Sequence, residues 1–282
     1  MKIAVHGASG YTGRLVVAEL ARRGVDAVLV GRDPARLHPT AAGTGFEVRI
    51  ADFRDMVPAM TDDGGPSELI SHLVGDATGP VERLTVALWY RGSGFSRGTL
   101  RSLDPARLFD GALRYENGGW TTYGEASRTT WCFPCEDAPV RVDKAALPPV
   151  ATVPRHVPVG CMEGLLGGSF DALKDAVTPA VIDALSEGPT YEQRQQGRWT
   201  IAAEASGQGG RTMRGEVEGT DGYGKTAVIA VEAVRRLVAD GAKAGVLAPS
   251  QAFDPESFLD FLYGHGVRWR VTDSPASSWP SW

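Results

Sequence analysis

The first thirty-odd residues alternate between apolar runs and glycine-rich turns in the pattern of a β-α-β unit. The run Lys2–His6 (KIAVH) predicts a short strand at the start of the chain. From Arg14 to Arg23, apolar residues recur every three or four positions, which predicts a helix with one buried face. Gly24 is expected to end that helix, and Asp26–Val30 predicts a second buried strand.

Beyond this unit the pattern changes to longer strands and separate helices. The predicted strands are Phe46–Phe53, Arg83–Arg91 and a hairpin of Trp199–Ala205 with Thr212–Glu218. The predicted helices are Ser67–Val74, Leu165–Leu185 with an interruption near Pro179, Thr226–Leu237 and Pro255–Tyr263. The expected fold class is α/β: an N-terminal, shortened Rossmann-type parallel sheet plus an α+β domain with a large, mostly antiparallel sheet.

The Rossmann-type sheet is expected to be shorter than in a complete dinucleotide fold, which contains a second mononucleotide half. After Asp55 no further series of alternating strands and helices follows. We therefore predict a shortened Rossmann-type domain over residues 1–55, an α+β domain over 56–219 and C-terminal helices over 220–282.

The segment after the first strand, GASGYTG at residues 7–13, has the spacing of a phosphate-binding turn. In such a turn Gly7 permits the bend, Gly10 allows the backbone to approach a pyrophosphate, and Gly13 allows close packing of helix and strand. The helix N-terminus adds free N–H groups and a partial positive charge. The predicted cofactor contacts in and beside the turn are Gly7, Ser9, Gly10, Tyr11, Thr12, Gly13 and Arg14.

Arg32, at the end of the second strand, indicates which nucleotide binds. NAD-binding units carry an acidic residue about 20 positions after the glycines, where it accepts hydrogen bonds from the ribose 2′-OH. Arginine cannot accept a hydrogen bond but can hold a 2′-phosphate with two donors. NADP(H) is therefore the predicted cofactor, with Arg14 and Arg36 as potential helpers and Asp33 as a competitor for the guanidinium. Asp52, at the end of the third strand, is either an adenine contact or a solvated aspartate.

Composition excludes several classes of protein. The 282-residue chain is 43% hydrophobic and 22% charged, with a formal net charge of −5. Such mild acidity predicts no nucleic-acid partner, and no stretch predicts a membrane span or a targeting segment. With three cysteines in the chain, a cytoplasmic location is expected.

Other candidate chemistry is sparse. Cys132 and Cys135 have the spacing of a redox pair, but no helix pattern follows them, so structural cysteines are expected. No metal site is predicted, because no further ligands occur at a regular spacing. Reduction by hydride also needs a proton donor, and Tyr223, Lys225, His72 and Ser96 are the candidates. Tyr223 and Lys225 are the predicted catalytic residues, although packing is the commoner role of such a tyrosine.

Several segments together resemble a known family. They are VHGASGYTGRLVVAELARRG, VGRDPARL, GFSRGTLRS, TMRGEVEGTDGYGKTAV and GVLAPSQAFDPESFLDFLYGHGVRW. Together they are similar to the saccharopine dehydrogenase-like NADPH-dependent reductases, in particular the trans-acting enoyl reductase branch. The resemblance implies that residues 1–55 form an NADP-binding Rossmann domain and that residues 56–219 form a substrate and dimerisation domain, and hence a homodimer. It also implies that the C-terminal helices over 220–282 return to the first domain. The family's second Rossmann half has no counterpart here, and DMVPAMTDDGG at residues 55–65 resembles the start of its second domain.

The sequence thus predicts an NADP-dependent oxidoreductase with a small-molecule substrate. The resemblance implies hydride transfer to a C=C or C=N bond of a small-molecule or lipid/polyketide-type substrate. The alternative is a protein of the same fold that binds NADPH without catalysis, as a sensor or after loss of function.

Overall fold

The structure of the protein, a computed structural model, describes residues 2–50, 64–92, 94–102, 112–122, 124–134, 136–168, 178–241 and 243–273. Asp52, Cys135 and most of the predicted join at residues 55–65 lie outside these ranges.

The described residues form helices and strands as follows. The helices are α1 Tyr11–Arg22, α2 Pro34–Ala42, α3 Gly64–Thr78, α4 Arg97–Ser102, α5 Pro148–Thr152, α6 Pro179–Ala184, α7 Tyr191–Gln196, α8 Gly222–Ala239, α9 Pro249–Ala252 and α10 Pro255–Tyr263. The strands are β1 Lys2–His6, β2 Asp26–Gly31, β3 Glu47–Ile50, β4 Val81–Arg91, β5 Arg114–Glu116, β6 Gly119–Thr121, β7 Thr130–Trp131, β8 Val140–Lys144, β9 Val159–Gly167, β10 Arg198–Gly207, β11 Thr212–Thr220 and β12 Arg268–Asp273. No helix in these ranges is both long and apolar enough to cross a lipid bilayer.

The chain divides into two compact units. Unit 1 contains the described residues 2–50 and 221–241, and unit 2 contains those of 64–220 and 243–273. This division differs from the predicted C-terminal segment 220–282, because only α8 belongs to unit 1. In unit 2, Ser250 donates hydrogen bonds to the buried carboxylate of Glu68 on α3 at 2.8 Å, and β12 pairs with β11.

Unit 1 is built on a parallel sheet with the strand order β1-β2-β3. Its core is apolar and draws on the sheet, α1, α2 and α8. The core residues are Val5, Ala8, Val17, Leu20, Ala27, Leu29, Leu37 and Val231. The predicted β-α-β pattern is confirmed. Gly24, with a φ of +66°, follows the end of α1 as predicted.

Helix α2 was not expected from the hydrophobic pattern, because Pro39 lies inside it and proline disfavours a helix interior. Its start has favourable residues, since Asp33 is the N-cap and Pro34 occupies the first turn. The Asp33 carboxylate accepts a hydrogen bond from the N–H of Ala35 at 2.9 Å. Leu37 anchors the helix, with its side chain fully buried.

Unit 2 is built on a large mixed sheet, whose main path through the described strands is β12-β11-β10-β4-β9-β5-β6. Neighbours on this path are antiparallel except for β4 and β9, which run parallel. The predicted fold class is therefore confirmed. The predicted hairpin is also confirmed, because β10 and β11 pair antiparallel with Ile201 opposite Val217.

The predicted helix Leu165–Leu185 is wrong at its first described end and confirmed in part at its second. Leu165 lies in the strand β9, whereas Pro179–Ala184 forms the short helix α6. A short apolar run without a clear period fits a buried strand and a buried helix equally well. Here the run forms a strand, because β9 is hydrogen-bonded to β4, β5 and β8 in the sheet.

Candidate functional site

The turn between β1 and α1 is closed by its own backbone. Gly7 has a φ of +72°, which favours glycine, and its N–H donates to the carbonyl of Val30 at 3.0 Å. The N–H of Gly10 donates to the carbonyl oxygen of Gly7 at 2.8 Å. These bonds hold the turn at the carboxyl end of β1, beside the last residues of β2.

Gly13 allows helix α1 to lie directly against this turn. A Cβ atom at position 13 would come 2.1 Å from the carbonyl oxygen of Gly7 and 3.0 Å from the Cα of Ala8. At Gly10 the same construction leaves 3.2 Å to the Gly7 oxygen. The backbone is therefore packed so closely that position 13 requires glycine, which is the role predicted from the sequence.

The N-terminus of α1 has features that suit an anion. Gly10 is its N-cap and provides no side-chain hydrogen bond, and the first turn contains no acidic residue. The first N–H groups of a helix have no partner within the helix, and the helix dipole is positive there. Arg14 adds a nearby positive charge, and its Nη1 donates to the carbonyl of Ser9 at 2.7 Å.

Arg32 lies at the same edge of the sheet as the turn. It follows Gly31, the last residue of β2, and Val30 is paired with His6 at the end of β1. Its side chain is exposed and makes no hydrogen bond or ion pair within the described part of the chain. Asp33 caps α2 through its Oδ1, so this carboxylate already has a partner in the backbone.

Helix α8 runs beside α1 in the same direction. The rings of Tyr11 and Tyr223, near the two N-termini, are 5.2 Å apart and almost perpendicular. Further along, Arg23 Nη1 lies 3.2 Å from Glu232 Oε2. The N-termini of both helices are therefore close together, and Tyr223 lies next to the first residue of α1.

The start of α8 contains a non-glycine residue in the left-handed region. Asp221 has φ +52° and ψ +61°, and its carboxylate caps the helix by accepting from the N–H of Gly224 at 2.9 Å. A Cβ at position 224 would lie 2.3 Å from that carboxylate. Such a conformation costs about 1–3 kcal/mol and persists only where the surrounding structure imposes it. It places Tyr223 in the first turn of the helix.

Lys225 has a different environment from Tyr223. Burial lowers the pKa of its ammonium group, and the carboxylates of Asp221 and Glu19 oppose that shift. Residues two apart on a helix point in directions about 160° apart, so the two side chains cannot act from one direction. The structure brings Tyr223 to the glycine turn. The pKa of Lys225, in contrast, is affected by the carboxylate of Glu19, which lies two helical turns further along α1 than Tyr11.

No model of a protein family matches the chain, and no curated protein matches it either. Among solved structures, it is similar to apo histidine-tagged saccharopine dehydrogenase (L-Glu forming) from Saccharomyces cerevisiae, at 12% identity. The match covers 96% of this chain and 99% of that one, with a TM-score of 0.59. The chain has a saccharopine dehydrogenase-like fold. An oxidoreductase from Sinorhizobium meliloti is 9% identical over 95% of this chain and 78% of that one, with a TM-score of 0.25.

Within this saccharopine dehydrogenase-like fold, the predicted contacts occupy two places in unit 1. Gly7, Ser9, Gly10, Tyr11, Thr12, Gly13 and Arg14 form the turn and the first helical residues, and Arg32 lies at the neighbouring strand end. The remaining proton-donor candidates, His72 and Ser96, belong to unit 2, where Ser96 caps α4 by accepting from the N–H of Thr99 at 3.1 Å. Cys132 is exposed and is also in unit 2.

Sequence reasoning missed the charged cluster that joins α1 to α8. Glu232 is fully buried and accepts hydrogen bonds from Arg235 and Arg236 at 2.7–2.9 Å, in addition to its contact with Arg23. Burial would raise the pKa of Glu232, but the arginines lower it to about 2. A glutamate followed by arginines three and four positions later was the available local signal, whereas the contact with Arg23 spans 209 residues.

Proposed function

We propose that the protein is an NADPH-dependent oxidoreductase that transfers a hydride to a C=C or C=N bond of a small-molecule or lipid/polyketide-type substrate. The observation that carries the proposal is Arg32, which is exposed beside the glycine turn and has no side-chain partner among the described residues. An arginine at this place suits the 2′-phosphate that distinguishes NADPH from NADH. The saccharopine dehydrogenase-like fold supports the assignment to oxidoreductases.

The residues of unit 1 fit the adenosine end of the nucleotide. A Cβ does not fit at Gly13 and would be tight at Gly10, 3.2 Å from the Gly7 oxygen, so α1 begins close against the turn, as a pyrophosphate site requires. The N–H groups at the start of α1 would hold that pyrophosphate, and Arg32 would hold the 2′-phosphate. NADPH, when bound, supplies the hydride.

Tyr223 is the proposed proton donor, acting through its phenol oxygen. Its place in the first turn of α8, against Tyr11, supports this role because the donor must lie near the cofactor. Lys225 contributes a positive charge on the same helix, and the lowered pKa of its ammonium group makes it a second candidate for proton transfer.

Nucleotide preference tests the proposal. NADPH should bind more tightly than NADH, and Arg32→Gln should remove a charge-assisted contact worth about 1.5–3 kcal/mol, which corresponds to a loss of roughly 10- to 150-fold in NADPH affinity. Arg32→Asp should abolish or reverse the preference. Isothermal titration calorimetry with both nucleotides measures this directly.

Arg22→Gln is the matched control, because it removes the same charge from the last turn of α1, at the opposite end from the glycine turn. It should leave both affinities unchanged. Equal affinity of the parent protein for NADPH and NADH would contradict the proposal.

The alternative function, NADPH binding without catalysis, is favoured by one observation. In the described part of unit 1 the sheet has the three strands β1, β2 and β3, whereas a dinucleotide fold needs a second mononucleotide half to hold the nicotinamide. Oxidation of NADPH by unsaturated or imine substrates, followed at its absorbance, separates the two functions.

If the adenosine end supplies most of the binding energy, the fragment 2′-phospho-ADP should bind within about tenfold of NADPH, a difference in binding free energy of roughly 1.4 kcal/mol. Hydride transfer should then be slow, because the ring is poorly oriented. Calorimetry with the two ligands checks this. NADPH binding a hundredfold tighter than the fragment would contradict it and would strengthen the reductase assignment.

A further inference from the structure

Unit 2 contains a cavity of about 480 Å³ where the strands β4, β10, β11 and β12 lie side by side. The strand register brings its polar lining into two rows across the sheet. One row is Trp89, Thr200, Glu218 and Arg268, and the other is Arg91, Arg198 and Thr220. None of these residues belongs to the nucleotide site proposed above.

Arg91 and Arg198 stand directly opposite each other on β4 and β10. Like charges in this arrangement destabilise a sheet unless a counter-charge is present. Arg91 has one, since its Nη1 lies 3.3 Å from Glu136 Oε1. Arg198 is exposed and makes no hydrogen bond or ion pair within the described ranges, so its charge is uncompensated by a side chain.

Arg268 adds another positive charge from the other side of β11, where it stands directly opposite Glu218. It is exposed, and its guanidinium likewise makes no hydrogen bond or ion pair with any described residue. The cavity is lined by three arginines and by two glutamates, Glu136 and Glu218. The lining therefore has an excess of one positive charge.

The apolar part of the cavity is held rigidly. Trp89 donates from its Nε1 to Glu136 Oε1 at 3.0 Å, and its ring stacks on Phe133 with centroids 6.4 Å apart. Trp199 alternates with Arg198 and Thr200 along β10, so its side chain, which is only 5% exposed, lies on the opposite face of the sheet, and Trp89 supplies the aromatic surface beside the two rows. A fixed aromatic wall with a few convergent polar groups is typical of small-molecule sites.

We propose that this cavity binds a small monocarboxylic acid with a flat apolar body. The arginine fork suits a carboxylate, and Arg198 and Arg268 are the residues that would hold it. The single excess charge matches a monoanion better than a phosphate dianion, and Trp89 provides the surface for the apolar body. The inference does not depend on nucleotide binding, and its test contains no nucleotide.

Calorimetry of the full chain with 3-phenylpropanoate, 3-phenylpropanamide and phenyl phosphate tests the proposal. The acid should bind at least about tenfold more tightly than the amide, because only the acid forms charge-assisted hydrogen bonds. Arg198→Gln and Arg268→Gln should each weaken the acid by about tenfold while leaving the amide unchanged. Arg211→Gln, which removes an exposed arginine outside the cavity lining, should leave the acid unaffected.

Three results would overturn the proposal. They are equal binding of acid and amide, the absence of binding by either at millimolar concentration, and unchanged acid affinity in the Arg198→Gln variant. Tighter binding of phenyl phosphate than of the acid would overturn the assignment to a monocarboxylate. Thermal unfolding of each variant establishes that a lost signal comes from the cavity and not from misfolding.

Discussion

Replacing Gly13 by alanine is expected to destabilise the protein by about 2 kcal/mol or more and to weaken NADPH binding at least tenfold. The added Cβ would lie 2.1 Å from the carbonyl oxygen of Gly7, so either the helix or the turn must move. Intrinsic helix propensity predicts the opposite sign, because alanine is favoured over glycine in a helix by about 1 kcal/mol. The sign of the measured change therefore separates close packing from propensity.

Chemical denaturation gives the stability, and calorimetry gives the nucleotide affinity. Gly43→Ala is the matched control in unit 1, because a Cβ there meets only the carbonyl oxygen of Thr40, at 4.0 Å, and the φ of −77° suits alanine. It should change both quantities little. A Gly13→Ala variant as stable as the parent would show that α1 does not pack against the turn as described.

Replacing Glu232 by glutamine is expected to destabilise the protein by about 3 kcal/mol, which is at the lower end for breaking a buried ion pair. The Glu232 side chain is 1% exposed, and Arg23 and Arg236 beside it are 14% and 12% exposed. Removing the carboxylate would leave these partly buried guanidinium groups without their counter-charge. Arg235 is half exposed, so water can replace its contact.

The pH dependence of stability provides a second readout for Glu232. Its folded-state pKa of about 2 lies below the ordinary value of 4.5. Its stabilising contribution should therefore be complete above pH 4.5 and decline as the pH falls towards 2. In the Glu232→Gln variant the acid-induced loss of stability over this window should be smaller than in the parent.

Glu47 is the matched control for this prediction. Hydrogen bonds from Lys2 and Arg49 also lower the pKa of Glu47 to about 2, but its side chain is 42% exposed. Exposed ion pairs contribute little to stability, so Glu47→Gln should have a far smaller effect than Glu232→Gln. Equal effects at the two positions would contradict the role assigned to burial.

The local elements of unit 1 were predictable because short-range patterns determine them. The strand β1, the glycine turn, the helix α1 and the strand β2 follow one another without a gap, and each carries its own signal. The β10–β11 hairpin and α10, which spans the predicted residues Pro255–Tyr263, were predictable for the same reason. The signal failed at α2, where Pro39 obscured the helix, and at β9, where an apolar run had no clear period.

What the sequence alone determined is therefore the glycine turn between β1 and α1 and the arginine that follows β2. Only the tertiary structure decided which distant residues accompany them: Tyr223 lies against Tyr11, and Glu232 pairs with Arg23 across 209 residues. The tertiary structure also places Arg198 opposite Arg91 on the adjacent strands β10 and β4, where Arg198 lines a cavity together with Arg268. The physical reason is that such contacts arise from helix docking and strand register, which depend on the packing of remote segments and leave no periodic signal in the local sequence.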